Sequence, residues 1–283
     1  MQLVKNVGYF KTKQEALNAV GLESPNLTFV SELKNYNNGF IISDIGRHVP
    51  LKFIDNGEGQ LTGVKDKSQM DLTFEAEEEN CTVSLVSSGS PSSIALEYST
   101  DNGVTWQTFN TNTTYTLTNI GDILQIRGDN SYINNSSSNY YHFNVPKKTQ
   151  AYGDITSLLS KDRTVSPLGS YCFYKLFEGC AITSAPMLPA VFVSTYSYYH
   201  MFKDCAELVE GPRTLPFTYA PSYVAYQMFS GCVKLKTAPE LPATSISDYC
   251  YYQMFQNCTS MVAGPSILPP TSVSYSTAYR YMF

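Results

Sequence analysis

Between Tyr171 and Phe283 a phenylalanine returns at 177, 202, 229, 255 and 283, with separations of 25, 27, 26 and 28 residues. Three residues beyond each of the first four stands a cysteine: Cys180, Cys205, Cys232 and Cys258. Three further on comes Leu208, Leu235 or Met261, although the first unit places Ile182 one position early. Proline follows at 186, 212, 239 and 265, and a Leu-Pro pair closes each unit at Pro189, Pro216, Pro242 or Pro269. A repeat in the range of about 20–50 residues restricts a chain to architectures in which each unit buries its apolar face against its neighbours. Units stacked ~4.8 Å apart, like adjacent strands, would lay Phe on Phe and Cys on Cys. Phe177, Phe202, Phe229 and Phe255 and the four cysteines are therefore expected to form internal columns. A buried Phe contributes roughly 1.5–3 kcal/mol, and Cys is small, tolerates burial and hydrogen-bonds only weakly. The paired prolines set the backbone where the chain turns, since without an N–H they extend neither helix nor ladder. One extra residue separates them in the second and fourth units, which makes a two-unit superperiod.

Residues 71–148 read differently. "DLTFEAEE", "CTVSLVSS", "SIALEYST", "VTWQTFN", "YTLTN", "DILQIRG" and "YYHFNV" are short runs of period-two alternation, with Asn102-Gly103 as a hairpin signal between two of them. They predict an antiparallel β-sandwich of roughly seven strands. Residues 1–70 open with a capping box, Thr12 to Glu15, before "EALNAV" and Gly21, and continue with the strand-like "NLTFVSEL", "GFIIS" and "PLKFI". The expectation is a multi-domain, mainly β protein: a small α+β domain (1–70), a β-sandwich (71–148) and a solenoid (149–283).

Aromatic residues make up 13% of the chain and charged residues only 15%, so it can build a core. A net charge of −5 gives no basic patch for phosphate contacts, and nucleic acid is not an expected partner. No segment approaches 18 consecutive apolar residues, so no membrane insertion is expected, and no secretory leader is visible in "MQLVKNVGYFKTKQEALNAV". Six of the seven cysteines lie in the repeats and the other is Cys81, a pattern that favours reduced, buried thiols over a disulfide framework.

The pattern F-x-G-C-x-x-L followed by A-P-x-L-P, clear in "MFSGCVKLKTAPELPATSI", resembles the BspA-like leucine-rich repeats of surface proteins from gut bacteria and their bacteriophages, crAss-like phages among them. The resemblance covers about residues 171–283 and implies a right-handed leucine-rich-repeat-like solenoid used for adhesion rather than catalysis. "LEYSTDNGVTWQTFN", "GDILQIRGDN" and "NYYHFNV" are similar to the β-sandwich that stands before such repeats, and "SPNLTFVSELK" resembles the first domain of phage appendage proteins.

Ser99, Asp101, Gly103 and Trp106 match the Asp-box S-x-D-x-G-x-x-W familiar from sialidases, where it is a structural hairpin turn remote from catalysis. Glycosidases generally need two carboxyl groups in one cleft, and the cluster Glu75, Glu77, Glu78, Glu79 reads instead as a solvated strand edge. His48, His142 and His200 share no ligand spacing, and neither C-x-x-C nor H-E-x-x-H occurs, so no catalytic residue, metal or cofactor is expected. Cys172 and Cys250 occupy a slot that Ser197, Val224 and Ala278 fill elsewhere, as packing residues would. Tyr174, Tyr199, Tyr226 and Tyr252, three residues before each Phe, are expected as a packing ladder with hydroxyls at the rim. One position earlier, the slot of Tyr198, Tyr251 and Tyr279 also holds Phe173 and Ala225. That irregularity predicts an outward position, and these three tyrosines are the expected recognition face, stacking on sugars or protein surfaces. The sequons at Asn112, Asn134 and Asn135 carry no glycosylation in a chain that is not exported.

These features predict a non-enzymatic bacteriophage virion protein, a head-fibre subunit made in the host cytoplasm and displayed on the virion surface. Its first domain would dock on other virion proteins, at capsid or tail, and its repeats would recognise a host-surface glycan or protein. A tail-appendage receptor-binding protein and a bacterial cell-surface adhesin are the alternatives, the last requiring an export leader. A homo-oligomer is expected, a trimer or else a dimer, because multivalency strengthens attachment. The apolar "YSTAYRYMF" predicts a continuing chain or a covering partner, because a terminal repeat needs a polar cap.

Overall fold

Short alternating runs bounded by Gly, Asn and Pro make the protein mainly β, with several small sheets and almost no helix among the described residues. The structure, a computed structural model, describes residues 8–10, 40–42, 51–55, 61–65, 67–164, 167–269 and 277–283. The chain divides into two units, Met1–Met70 and Asp71–Phe283. In the first, β1 (Gly8–Phe10) pairs antiparallel with β2 (Phe40–Ile42), and β3 (Leu51–Asp55) with β4 (Leu61–Lys65). The helix expected between Thr12 and Gly21, the run "NLTFVSEL" and His48 lie outside the described residues.

The second unit begins with β5 (Leu72–Ala76), β6 (Cys81–Ser88), β7 (Leu96–Ser99), β8 (Gln107–Phe109), β9 (Tyr115–Leu117), β10 (Ile123–Gly128), β11 (Tyr140–Asn144) and β12 (Thr149–Tyr152). Later come β13 (Ile182–Ser184), β14 (Tyr219–Ala220) and β15 (Ser245–Ile246). One sheet has the order β13-β12-β5-β10-β7-β8 and a second the order β11-β6-β9. Leu72, Phe74, Leu96, Leu124 and Ile126 of the first sheet and Val83, Leu85 and Phe143 of the second are buried in one core, where Phe74 meets Phe143 edge-on at 4.9 Å. β12 joins these sheets to the repeats: it is antiparallel to β5 on one side and parallel to β13 on the other. The hydrogen-bonded sheet therefore runs unbroken across residues 148–149.

From Tyr171 the chain winds in coils that lie over one another. Tyr171, Phe173, Lys175, Phe177 and Gly179 each donate their N–H to the coil above, at Thr195, Ser197, Tyr199, Met201 and Lys203 (2.8–3.2 Å). Met201 C=O and Phe202 N–H belong to one peptide unit, so Phe177, Phe202, Phe229 and Phe255 N–H groups make a head-to-tail amide row through Met201, Met228, Met254 and Met282 carbonyls. The intervening residues close three-residue turns, for example Tyr174 N–H to Tyr171 C=O (2.9 Å) and Cys180 N–H to Phe177 C=O (3.0 Å). Every fourth residue is left-handed: Tyr171, Lys175 and Gly179, then Tyr196, His200 and Asp204, then Tyr223, Gln227 and Gly231, then Tyr249, Gln253 and Asn257 (φ +50° to +81°). This rhythm turns side chains inward in pairs, such as Cys172 with Phe173 and Leu176 with Phe177.

The first coil is laid on the sheets. Its Cys172, Tyr174 and Leu176 carbonyls accept from Asn134 N–H (3.0 Å), Asn134 Nδ2 (3.0 Å) and Phe143 N–H (2.7 Å). Asn134 is 1% exposed and also exchanges bonds with Tyr141, Nδ2 to O at 2.9 Å and N to Oδ1 at 2.7 Å. Burial, more than compartment, makes glycosylation of this sequon irrelevant. The column of rings likewise starts in the sheet: Phe143, Phe177, Phe202, Phe229, Phe255 and Phe283 stack at 5.2, 5.3, 5.4, 5.7 and 5.7 Å.

The cysteines do more than fill space. Cys180, Cys205, Cys232 and Cys258 donate their S–H to the carbonyls of Phe143, Phe177, Phe202 and Phe229 at 2.9–3.1 Å. Burial pushes the Cys180 thiol up to about 12 and that of Cys258 up to about 11, so both are protonated donors at neutral pH. All seven cysteines are free and buried.

Candidate recognition strip

Two columns of tyrosine run side by side along the coils. Tyr171, Tyr196, Tyr223 and Tyr249 stack at 4.7, 4.9 and 5.0 Å with ring planes within 10° of parallel. Tyr174, Tyr199, Tyr226 and Tyr252 stack at 5.2, 5.0 and 4.8 Å, within 14°. The columns touch rung by rung at 5.6–5.8 Å, giving a lattice two rings wide and four deep. Seven of the eight rings are half-buried, and Tyr174 is the buried one. Tyr140 meets Tyr174 edge-on at one end and Tyr281 meets Tyr252 edge-on at the other.

The positions follow from the four-residue rhythm. The first column occupies left-handed positions six residues before each Phe, and the second sits three residues before it. Together they spell Y-x-x-Y-x-x-F in "YCFYKLF", "YSYYHMF", "YVAYQMF" and "YCYYQMF". The column of Tyr171, Tyr196, Tyr223 and Tyr249 is absent from the expectations set out above, although that triplet spacing is its signal.

The three expected recognition residues are elsewhere. Tyr198 and Tyr251 are 1% and 0% exposed, and Tyr279 is half-buried with its hydroxyl donating to Pro269 C=O at 2.6 Å. Irregularity in that slot marks volume exchange inside the core, not exposure. Phe173 stacks on Tyr198, and Tyr198 on Phe217, a fully buried ring from the longer proline segment of the second unit, while the next coil carries only Ala225 there. The Tyr198 and Tyr251 hydroxyls have no hydrogen-bond partner.

Beside the second column stand Lys175, His200, Gln227 and Gln253. Lys175 Nζ is 3.0 Å from Glu178, and the His200 ring lies flat on Tyr199 at 4.0 Å with Nδ1 3.3 Å from Glu178 Oε1. Burial lowers the His200 pKa in spite of Glu178, and burial also lowers that of His142. Burial raises the Tyr174 phenol to about 12 and raises Tyr199, Tyr226 and Tyr196, so these hydroxyls stay protonated. At neutral pH the strip is an uncharged array of ring edges and hydroxyls.

The remaining sequence candidates have structural surroundings. Ser99 Oγ accepts from Gly103 N–H (2.8 Å), Asp101 accepts from Thr105 N–H (2.9 Å) and Oγ1 (2.6 Å), and Trp106 Nε1 donates to Gly103 C=O (3.0 Å). These bonds, Thr105's first, hold the Asp101 carboxyl at about 2. Asn102 and Gly103 are left-handed, and Arg127 lies 3.7 Å over the Trp106 ring. A cleft of about 370 Å³ beside β7 and β8 brings Glu97 and Asp129 near Lys161, at 2.9 and 3.6 Å. Hydrogen bonds from Lys161, then Arg127, hold the Glu97 carboxyl below its ordinary value, so it is an ion-pair partner and not a proton donor. Among the described residues no group of three His, Cys, Asp or Glu side chains could hold a metal ion, and no helix is long and apolar enough to cross a membrane. Comparison with protein-family models, with curated proteins and with solved structures finds no match.

Proposed function

We propose that the chain is a non-enzymatic display protein in which a β-sandwich carries a leucine-rich-repeat-like solenoid, and that it serves as a bacteriophage head-fibre subunit. The observation that carries this reading is the two-by-four tyrosine lattice, an uncharged aromatic surface held rigid by an amide ladder. A binding surface profits from groups already fixed in place, because little entropy is lost when the partner arrives. Tyrosine gives large contact area with few rotatable bonds. The titratable groups point the same way: buried thiols are inert donors and Glu97 is salt-bridged, so neither supplies a nucleophile or an acid. The virion assignment rests on the repeat resemblance, with the first domain as attachment module and a homo-oligomer as the displayed form.

Electron microscopy of intact particles decorated with antibody against the coils tests the placement. Label at the capsid supports the head fibre, and label at the tail makes it a tail appendage. Label confined to the bacterial envelope makes it a surface adhesin, and unlabelled virions overturn the virion reading. Light scattering of the purified protein reads the trimer, dimer or monomer directly.

A further inference from the structure

We infer that the tyrosine strip takes an extended, uncharged polysaccharide lying along the stack, gripped by ring edges and phenol hydroxyls and not by sugar-on-ring stacking. This rests on the display reading above and names its ligand class.

The first ground is which part of each ring is available. Tyr196 has Tyr171 on one face and Tyr223 on the other, and Tyr199 is enclosed likewise by Tyr174 and Tyr226. The faces that would stack on a sugar are thus occupied by neighbours. What remains is the positive ring edge and a hydroxyl that both donates and accepts, the two groups best matched to a polyhydroxylated chain.

Charge is the second. Lys175 is engaged by Glu178 at 3.0 Å, His200 is neutral, and Gln227 is hydrogen-bonded to Gln253. Among the described residues no unpaired cation stands along the four rungs; the one exposed guanidinium near them, Arg280, lies past the last rung over Tyr281 at 4.9 Å, so an acidic glycan meets a counter-charge at that end and none along the strip.

Spacing is the third. Rungs repeat every 4.7–5.2 Å in both columns. An extended peptide along the same axis advances about 3.3 Å per residue, so it meets only every second rung, with every third residue, and leaves the rungs between unmatched. A pyranose, whose bonds are about 1.5 Å long, advances its glycosidic oxygen by close to one rung per sugar when the chain is extended. Four rungs therefore engage about four sugars, and weak single contacts add through multivalency.

The test is calorimetric titration of the full chain with cellobiose, cellotetraose and a wider array of neutral linear oligosaccharides, with polygalacturonate as the acidic comparator. The double variant Tyr196→Phe/Tyr223→Phe keeps both stacks and removes two hydroxyls, and circular dichroism checks that it is folded. Binding that tightens from two to four sugars, and weakens about tenfold in the variant, supports the inference. Equal binding by the variant, a preference for polygalacturonate, or no binding across the neutral array overturns it. Adhesion of labelled protein to host cells separates the two readings. Adhesion that protease treatment of the cells abolishes, and the variant retains, keeps display but overturns the glycan ligand. Absence of adhesion overturns display itself.

Discussion

Replacing Asn134 by alanine should uncouple the coils from the sheets. The side chain donates from Nδ2 to Tyr141 C=O at 2.9 Å and to Tyr174 C=O at 3.0 Å, and its Oδ1 accepts from Tyr141 N–H at 2.7 Å. Truncation removes three hydrogen bonds, each worth about 1 kcal/mol net, and leaves a buried N–H unsatisfied at a further cost of about 1–3 kcal/mol. The expected destabilisation is about 4–6 kcal/mol, a large share of the roughly 5–15 kcal/mol that holds a domain folded. Asn134→Asp keeps the acceptor but loses both donations and buries a charge, so it should be no better. Urea unfolding can be followed at two places, because Trp106 is the only tryptophan and lies in the sheets, whereas the stacked tyrosines report the coils. In Asn134→Ala the tyrosine signal should be lost at lower urea than the tryptophan signal. A midpoint shift worth less than about 1 kcal/mol, with both signals still coincident, would refute the capping role.

Three further outcomes are expected. Gly231→Ala should destabilise, since φ is +81° and an added Cβ would lie 3.3 Å from the Asp204 Cα and closer still to its carboxylate; Asp204→Gly, at φ +60°, should stabilise by about 0.5–1 kcal/mol, and thermal melts of the pair read the opposite signs. Tyr198→Phe and Tyr251→Phe should be neutral or stabilising in urea titrations, because each removes a buried hydroxyl with no partner, and a loss above about 1 kcal/mol would mean that the hydroxyls are satisfied. The thiols set an alkaline limit: burial raises their folded pKa above the ordinary 9.0, to about 12 for Cys180 and about 11 for Cys258, so their contribution is complete below pH 9 and is lost progressively from pH 9 up to those folded values. A urea midpoint unchanged between pH 8 and 11 would contradict this.

Legibility in the sequence depends on whether a position repeats by kind. Phe177 and Phe202 stack 5.3 Å apart because rings of one size in one slot are the simplest way to fill a column, and like residues at a fixed interval are visible in a bare sequence. Tyr198 illustrates the converse. Its slot varies between Phe, Tyr and Ala because Phe217, from a different part of the coil, shares the same interior space, and no spacing within the slot can reveal a neighbour that arrives from outside it. The left-handed residues are hidden for another reason. Tyr171, Lys175 and Gln227 are not types that favour φ above zero, so their conformation is imposed by inter-coil hydrogen bonds and not by local preference. Asn134 stands out in the sequence only as a sequon; its role depends on Tyr174, forty residues away.

The direction of the amide rows gives the stack a beginning. Donors held by β11 and Asn134 meet the carbonyls of the first coil, whereas every later coil has only its predecessor as a template. An isolated coil would carry its left-handed strain unrelieved, so winding should propagate away from the sheets. Pulled away from the sheets, the stacked coils would release slack in a sawtooth, one turn of 25–28 residues per tooth, and so yield stepwise under a load that would snap a single cooperative block.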